Sequence, residues 1–133
     1  MRITVGLVPA SATAGMLLGY GLRGGGAGRA FAALGSLFFS QSNHAATVLG
    51  VVLHVVVMLA CGVLYASLVN EARESRFAWA IAIGGGVAAI LFLRARSVGG
   101  SIALVLTPAN LIALGAITAL TLPIGMRFAP SRA

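Results

Sequence analysis

The sequence predicts an all-α polytopic membrane protein with four transmembrane helices and one short interfacial helix, forming a single domain over residues 1–133. Three observations carry this expectation. Hydrophobic residues make up 59% of the chain and charged residues 8%, whereas a soluble domain averages about 25% charged. The nine arginines and two glutamates all fall outside four long apolar runs. Those runs bracket the roughly 20 helical residues needed to cross a hydrocarbon core about 30 Å thick. A transmembrane barrel would need alternating segments of about ten residues, but stretches such as Val55 to Leu64 are apolar on both faces. Helices satisfy their backbone internally, whereas open strands in lipid do not.

The first predicted span runs from Ile3 to Leu22. Pro9 removes one backbone donor and predicts a kink. Gly6, Ala10 and Ala14, and beside them Ser11, Gly15 and Gly19, form two strips of small side chains on which another helix can approach closely. Arg2, the apolar stretch after it and Ala10, Ala12 and Ala14 mimic a signal peptide; an uncleaved first span is expected.

The segment Arg23-Gly24-Gly25-Gly26-Ala27-Gly28-Arg29 is too glycine-rich to continue a helix. Residues 30–40 are apolar but too short to span, so Phe31, Leu34, Phe38 and Phe39 predict an interfacial or half-inserted helix. Ser42 or Asn43 is then placed to cap the second span, Ala45 to Val69. A tight loop containing Glu71, Arg73, Glu74 and Arg76 leads to the third span, Phe77 to Leu93. Gly99-Gly100 precedes the fourth, Ile102 to Met126, and a short basic tail ends the chain. None of these connections is long enough for a domain outside the membrane.

With four spans, Arg2, Arg73, Arg76, Arg127 and Arg132 share one side, and Arg23, Arg29, Arg94 and Arg96 the other. The small excess places both termini in the cytoplasm. Abundant Ala, Gly and Arg without any Lys or Asp reflect codon bias and fit a bacterial inner membrane. The net charge of +7 would suggest nucleic acid in a soluble protein. Here the arginines are scattered among connections, and anionic lipid head groups are the expected counter-charges.

The most suggestive chemistry lies on the second span. Thr47, Gly50, His54, Met58, Cys61 and Tyr65 recur at steps of three and four, so they share one helix face. An ionisable group at membrane depth is a functional candidate. Three roles suit His54: a structural hydrogen bond to a neighbouring helix, ligation of the metal of a haem or chlorophyll, or a proton relay. His44 lies about 15 Å away along a helix, so the two do not form a paired metal site. The single cysteine, Cys61, forms no intrachain disulfide.

On the fourth span Thr107, Asn110, Leu114, Thr118 and Thr121 follow a helical seam. Asn110 in lipid needs a partner, and His54 is the expected one across the bundle; glue and pathway readings of this seam both remain open. Gly84-Gly85-Gly86, in mid-span, implies close helix contact or a break lining a site. Gly50 and Gly62 join Gly15, Gly19, Gly84, Gly85, Gly86 and Asn110 as the expected helix-packing residues. Trp79 and Tyr20, near span ends, fit interfacial anchors.

No catalytic residue is expected. Gly19-Tyr20-Gly21-Leu22-Arg23-Gly24 matches a dinucleotide pattern, but it follows a membrane helix and no acidic residue stands about twenty positions later. The only two carboxylates lie beside arginines in one loop, which leaves no acid-base pair.

Gly50-x-x-x-His54 and Gly62-x-x-Tyr65-Ala66, after a Gly/Ala-rich first span, resemble small four-helix bacterial inner-membrane proteins of unassigned activity, over roughly residues 3–69. That resemblance implies architecture alone. In kind, the chain is similar to small accessory subunits of bacterial photosynthetic or respiratory complexes. The similarity implies other integral membrane subunits and lipids as partners, with no nucleic acid and no soluble substrate. It requires no intrinsic cofactor, and implies contact with the bacteriochlorophyll, carotenoid or haem of a partner, with His54 as the candidate ligand. The alternative expectation is a small homodimeric transporter or channel. Four spans and balanced arginines resemble the small multidrug transporters, but the first span lacks the membrane-embedded glutamate of that family.

Overall fold

The computed structural model describes residues 5–23, 26, 28–38, 43–71, 76–98 and 107–128. Among them the chain is helical throughout: α1 Leu7–Arg23, α2 Arg29–Phe38, α3 Asn43–Glu71, α4 Arg76–Val98 and α5 Pro108–Phe128, with no strand. Three helices are long and apolar enough to cross a membrane: Ala45–Val69, Arg76–Ser97 and Pro108–Arg127, with mean hydropathies of 2.6, 1.8 and 1.7. The expected fourth, α1, has 17 residues, about 25 Å at the usual rise per residue.

Local chemistry sets the helix boundaries. Pro9 falls in the first turn of α1, where an N–H would have no intrahelical partner in any case, so proline is tolerated there and the kink expected in the first third of the span loses its cause. At the other end of α1 the Gly26 N–H donates to the Gly21 carbonyl at 2.9 Å. This six-to-one bond closes a helix C-terminus. Helix α2 begins with the Ala32 amide bonded to the Gly28 carbonyl. The start of α5 differs from expectation: Thr107 caps it, accepting from the Asn110 amide at 3.2 Å, and Pro108 takes the first helical position. Residues 102–106, expected in the same span, lie outside the described residues, as do Ser42, Phe39 and the loop residues from Ala72 to Ser75.

Glycine contacts and hydrogen bonds define the arrangement. Gly6 meets Met58 and Leu59 of α3, and His54 meets Ala10 and Thr13 of α1, so α1 and α3 run antiparallel. Gly84 packs on Gly115 and Ala119, and Ala88 on Gly115, so α4 and α5 are antiparallel as well. Gly125 against Val5 and Tyr20 against Asn110 set α1 antiparallel to α5. The four long helices thus alternate in direction around a ring, α1–α3–α4–α5.

Helix α2, expected as a short interfacial or half-inserted helix, is packed closely into the bundle. Six of its ten residues, Ala30, Phe31, Ala33, Leu34, Gly35 and Leu37, are buried, and it packs chiefly on the first half of α3. Added side chains at Gly35 or Gly50 would strike, respectively, the Ala46 and Phe31 carbonyls. The end of α2 is also fastened to α4. Arg94 Nε donates to the Leu37 carbonyl at 2.8 Å, and its guanidinium lies 6.0 Å from the Phe38 ring centre. A cationic donor there satisfies a terminal carbonyl that has no helical partner.

The interior is layered. One apolar cluster gathers Leu17, Phe31, Leu34, Leu37, Leu111 and Leu114; the other gathers Val5, Cys61, Tyr65, Val69, Ile83 and Leu122. Between them lies a thin polar layer of Thr13, His54 and Thr118, all buried. Since hydrocarbon is as apolar as this core, membrane helices associate through close packing and internal hydrogen bonds more than through burial. The glycine contacts and the polar layer supply both.

Candidate functional site

Helix α3 turns Gly50, His54, Met58, Cys61 and Tyr65 inward, all buried, with Thr47 partly so. The three-four spacing leaves the large residues Val48, Val52, Val56 and Leu64 on the outer face. His54 therefore faces the bundle interior, 5% exposed.

Its bonds run to α1 and not to Asn110. Nε2 lies 3.1 Å from the Ala10 carbonyl and 3.1 Å from Thr13 Oγ1. A carbonyl only accepts, so in the neutral ring the proton sits on Nε2 and the lone pair on Nδ1. Thr13 directs its own hydroxyl to the Pro9 carbonyl at 2.6 Å, leaving its lone pairs for His54. The Phe31 ring stands edge-on to the imidazole, with centroids 5.8 Å apart and planes at 74°. Phe31 and Thr13 thus fix the ring from α2 and α1.

Asn110 lies in the first turn of α5, where its amide meets the Thr107 cap and its carbonyl accepts from Tyr20 Oη at 3.5 Å. That placement, set by where the helix begins, removes it from the level of His54. Across from His54 stands Thr118, which donates to the Leu114 carbonyl at 2.8 Å and lies 4.0 Å from Met58 Sδ. Thr121 likewise bonds back to Ile117. The seam expected on α5 faces inward at Leu114, Thr118 and Thr121, and these threonines hold their own helix. Tyr65 Oη and Trp79 Nε1 are buried without a partner among the described residues.

The glycines divide into two groups. Gly50, Gly62 and Gly84 sit at backbone contacts with α2, with Val5–Gly6 at the start of α1, and with α5. Gly15, Gly19, Gly85 and Gly86 have open space where a side chain would stand. The pattern of small residues shows where a helix can be approached but not from which side. Gly6, on one of the strips expected to admit a neighbouring helix, does sit at such a contact, whereas Gly35, Gly115 and Gly125 are contact positions that sequence reasoning missed; their signal was spacing relative to other helices, which one helix's own pattern does not contain.

Three spaces accompany this framework. A cavity of about 20 Å³ lies among Thr13, His54, Met58 and Thr118. A side cleft of about 260 Å³ opens between α3 and α4 beneath Leu34 and Phe38 of α2. A groove of about 800 Å³ runs along the outer face of α4 and α5, floored by Gly85, Ala89 and Ala116 and walled by Ile81, Phe92 and Ile112. No group of three or more His, Cys, Asp or Glu side chains that could hold a metal occurs among the described residues. No protein-family profile, curated protein or solved structure matches the chain, so its chemistry is argued from its own geometry.

Proposed function

We propose that this protein is a non-catalytic accessory subunit that stabilises a larger membrane complex, with all four long helices crossing the bilayer. The observation that carries this reading is the direction in which its small residues point. Gly15, Gly19, Gly85 and Gly86 open outward, where only a neighbour in the membrane can use them. Inside, the hydroxyls of Thr13, Thr118 and Thr121 bond to carbonyls of their own helices. The alternating helix directions support four crossings, and 17 residues is at the short end of what a spanning helix needs.

Contact with a macrocycle of a partner, in a photosynthetic or respiratory assembly, fits the outer glycine faces better than His54. His54 is 5% exposed and faces the bundle interior; ligation through Nε2 would require both the Ala10 and Thr13 bonds to be given up, which leaves only the lone pair of a buried Nδ1. The transporter reading finds less support, because the inward polar layer encloses only about 20 Å³.

Mild detergent extraction at native expression, followed by identification of co-migrating chains and an absorption spectrum, tests the proposal. Co-migration with other integral membrane subunits is expected, and its loss in Gly85→Leu without loss of folding would place the contact. A chain that migrates alone and colourless from its native membrane would overturn it.

A further inference from the structure

The side cleft and the central cavity adjoin one another. Leu34, His54, Met58, Val87 and Leu91 line both. The outer part is bounded by the exposed side chains of Phe38 and Ile90 and opens toward the hydrocarbon phase. The inner part ends on Thr13 and Thr118. From the outer surface inward, an apolar cleft is thus followed, across a shared lining, by a small polar tip.

Size and hydrogen-bond polarity restrict what can fill it. A cavity of about 150 Å³ lined by apolar side chains takes benzene, so about 260 Å³ accommodates one ring with a substituent. The tip, at about 20 Å³, has room for a single small polar atom. The hydroxyl protons of Thr13 and Thr118 go to the Pro9 and Leu114 carbonyls. The His54 proton is on Nε2, directed to Ala10. What Thr13, Thr118 and His54 retain is lone pairs, so the tip accepts hydrogen bonds and does not donate them.

We infer that this lateral pocket binds a small apolar, membrane-soluble molecule carrying one hydroxyl, of phenol type, with its O–H donated into the Thr13–His54–Thr118 layer. An ether or ketone of the same shape is rejected, because its oxygen would face acceptors alone in an apolar surround. The inference stands apart from the accessory-subunit reading, which concerns the outer faces.

The test uses the full chain in detergent micelles with histidine ¹⁵N-labelled, and His54 distinguished from His44 by a His44→Gln control. Titration with 4-bromophenol is expected to give a saturable shift of the His54 ring nitrogens. Titration with 4-bromoanisole, its methyl ether, is expected to respond at least about tenfold more weakly. Val87→Phe fills the outer cleft and should abolish the response while the melting temperature holds; Thr118→Val removes one acceptor and should weaken it several-fold. Equal responses to phenol and ether, a response that survives Val87→Phe, or no saturable shift in the wild type would each overturn the inference. The first comparison needs no variant to fold.

Discussion

The α1–α2–α3 side and the α4–α5 pair are made from the same small and apolar residues, yet they deploy them differently. On the first side Gly6, Gly35, Gly50 and Gly62 all sit at backbone contacts, and a polar bridge from His54 to Ala10 and Thr13 crosses the gap. In the second, Gly84 and Gly115 make one such contact, while Gly85 and Gly86 turn away from it. α4 is also the least buried of the three long apolar helices. The first side is closed along its α1–α3 and α2–α3 seams, although Gly15 and Gly19 leave part of the outer face of α1 open. The second presents a groove with a floor of small residues to whatever lies beside it. In a solvent as apolar as the protein, shape and satisfied backbone distinguish an interior from a docking face, where a water-soluble protein would use polarity.

Substitutions that add bulk to one side and not the other test that contrast most strongly. Gly50→Val drives a side chain into the Phe31 carbonyl, a backbone atom that cannot rotate away. A loss of about 3 kcal/mol or more is expected, read as a lowered midpoint of unfolding in mixed micelles by circular dichroism. Two adjacent positions on α4 sharpen the contrast further. Gly84→Val meets the Gly115 carbonyl and Ala119 and should cost about 1–3 kcal/mol, whereas Gly85→Val has open space and should stay within about 0.5 kcal/mol. Equal losses at the two positions would mean that the facing of α4 is wrong.

The polar bridge is a smaller effect. Thr13→Val keeps the shape and removes a hydroxyl bonded to His54; interhelical bonds of this kind contribute about 0.6–2 kcal/mol. The same unfolding measurement, with Ser11→Val on the exposed face of α1 as the matched control, should separate them. No difference between the two would remove the bridge from the account.

Much of the fold was legible because lipid simplifies the code. Charges are costly at the centre of a span, so charge placement located three long apolar helices, with the start of the last the boundary furthest from expectation. The inward face of α3 was legible too, since Gly50, His54, Met58, Cys61 and Tyr65 repeat at helical spacing. What escaped was information held between helices. For His54 two partners were expected, a carbonyl or threonine of a neighbouring helix and Asn110 on α5; the bonds go to the Ala10 carbonyl and Thr13 of α1, and which helix would supply them was not written in either helix's own pattern. The start of α5 moved to Pro108 because Thr107 and Pro108 form a helix start in sequence that hydropathy alone overrode. Helix α2 was expected at the interface on its length. What length did not show is how closely Gly35 lets it pack against α3.

The central claim is that α1 crosses the membrane alongside the three longer helices, in alternating directions. Labelling single cysteines with a membrane-impermeant maleimide, in a Cys61→Ser background, measures this directly on sealed, oriented vesicles. The account predicts that Gly26→Cys and Ser97→Cys react from one side, and Arg2→Cys and Arg76→Cys from the other. Arg2→Cys and Gly26→Cys reacting from the same side would contradict it.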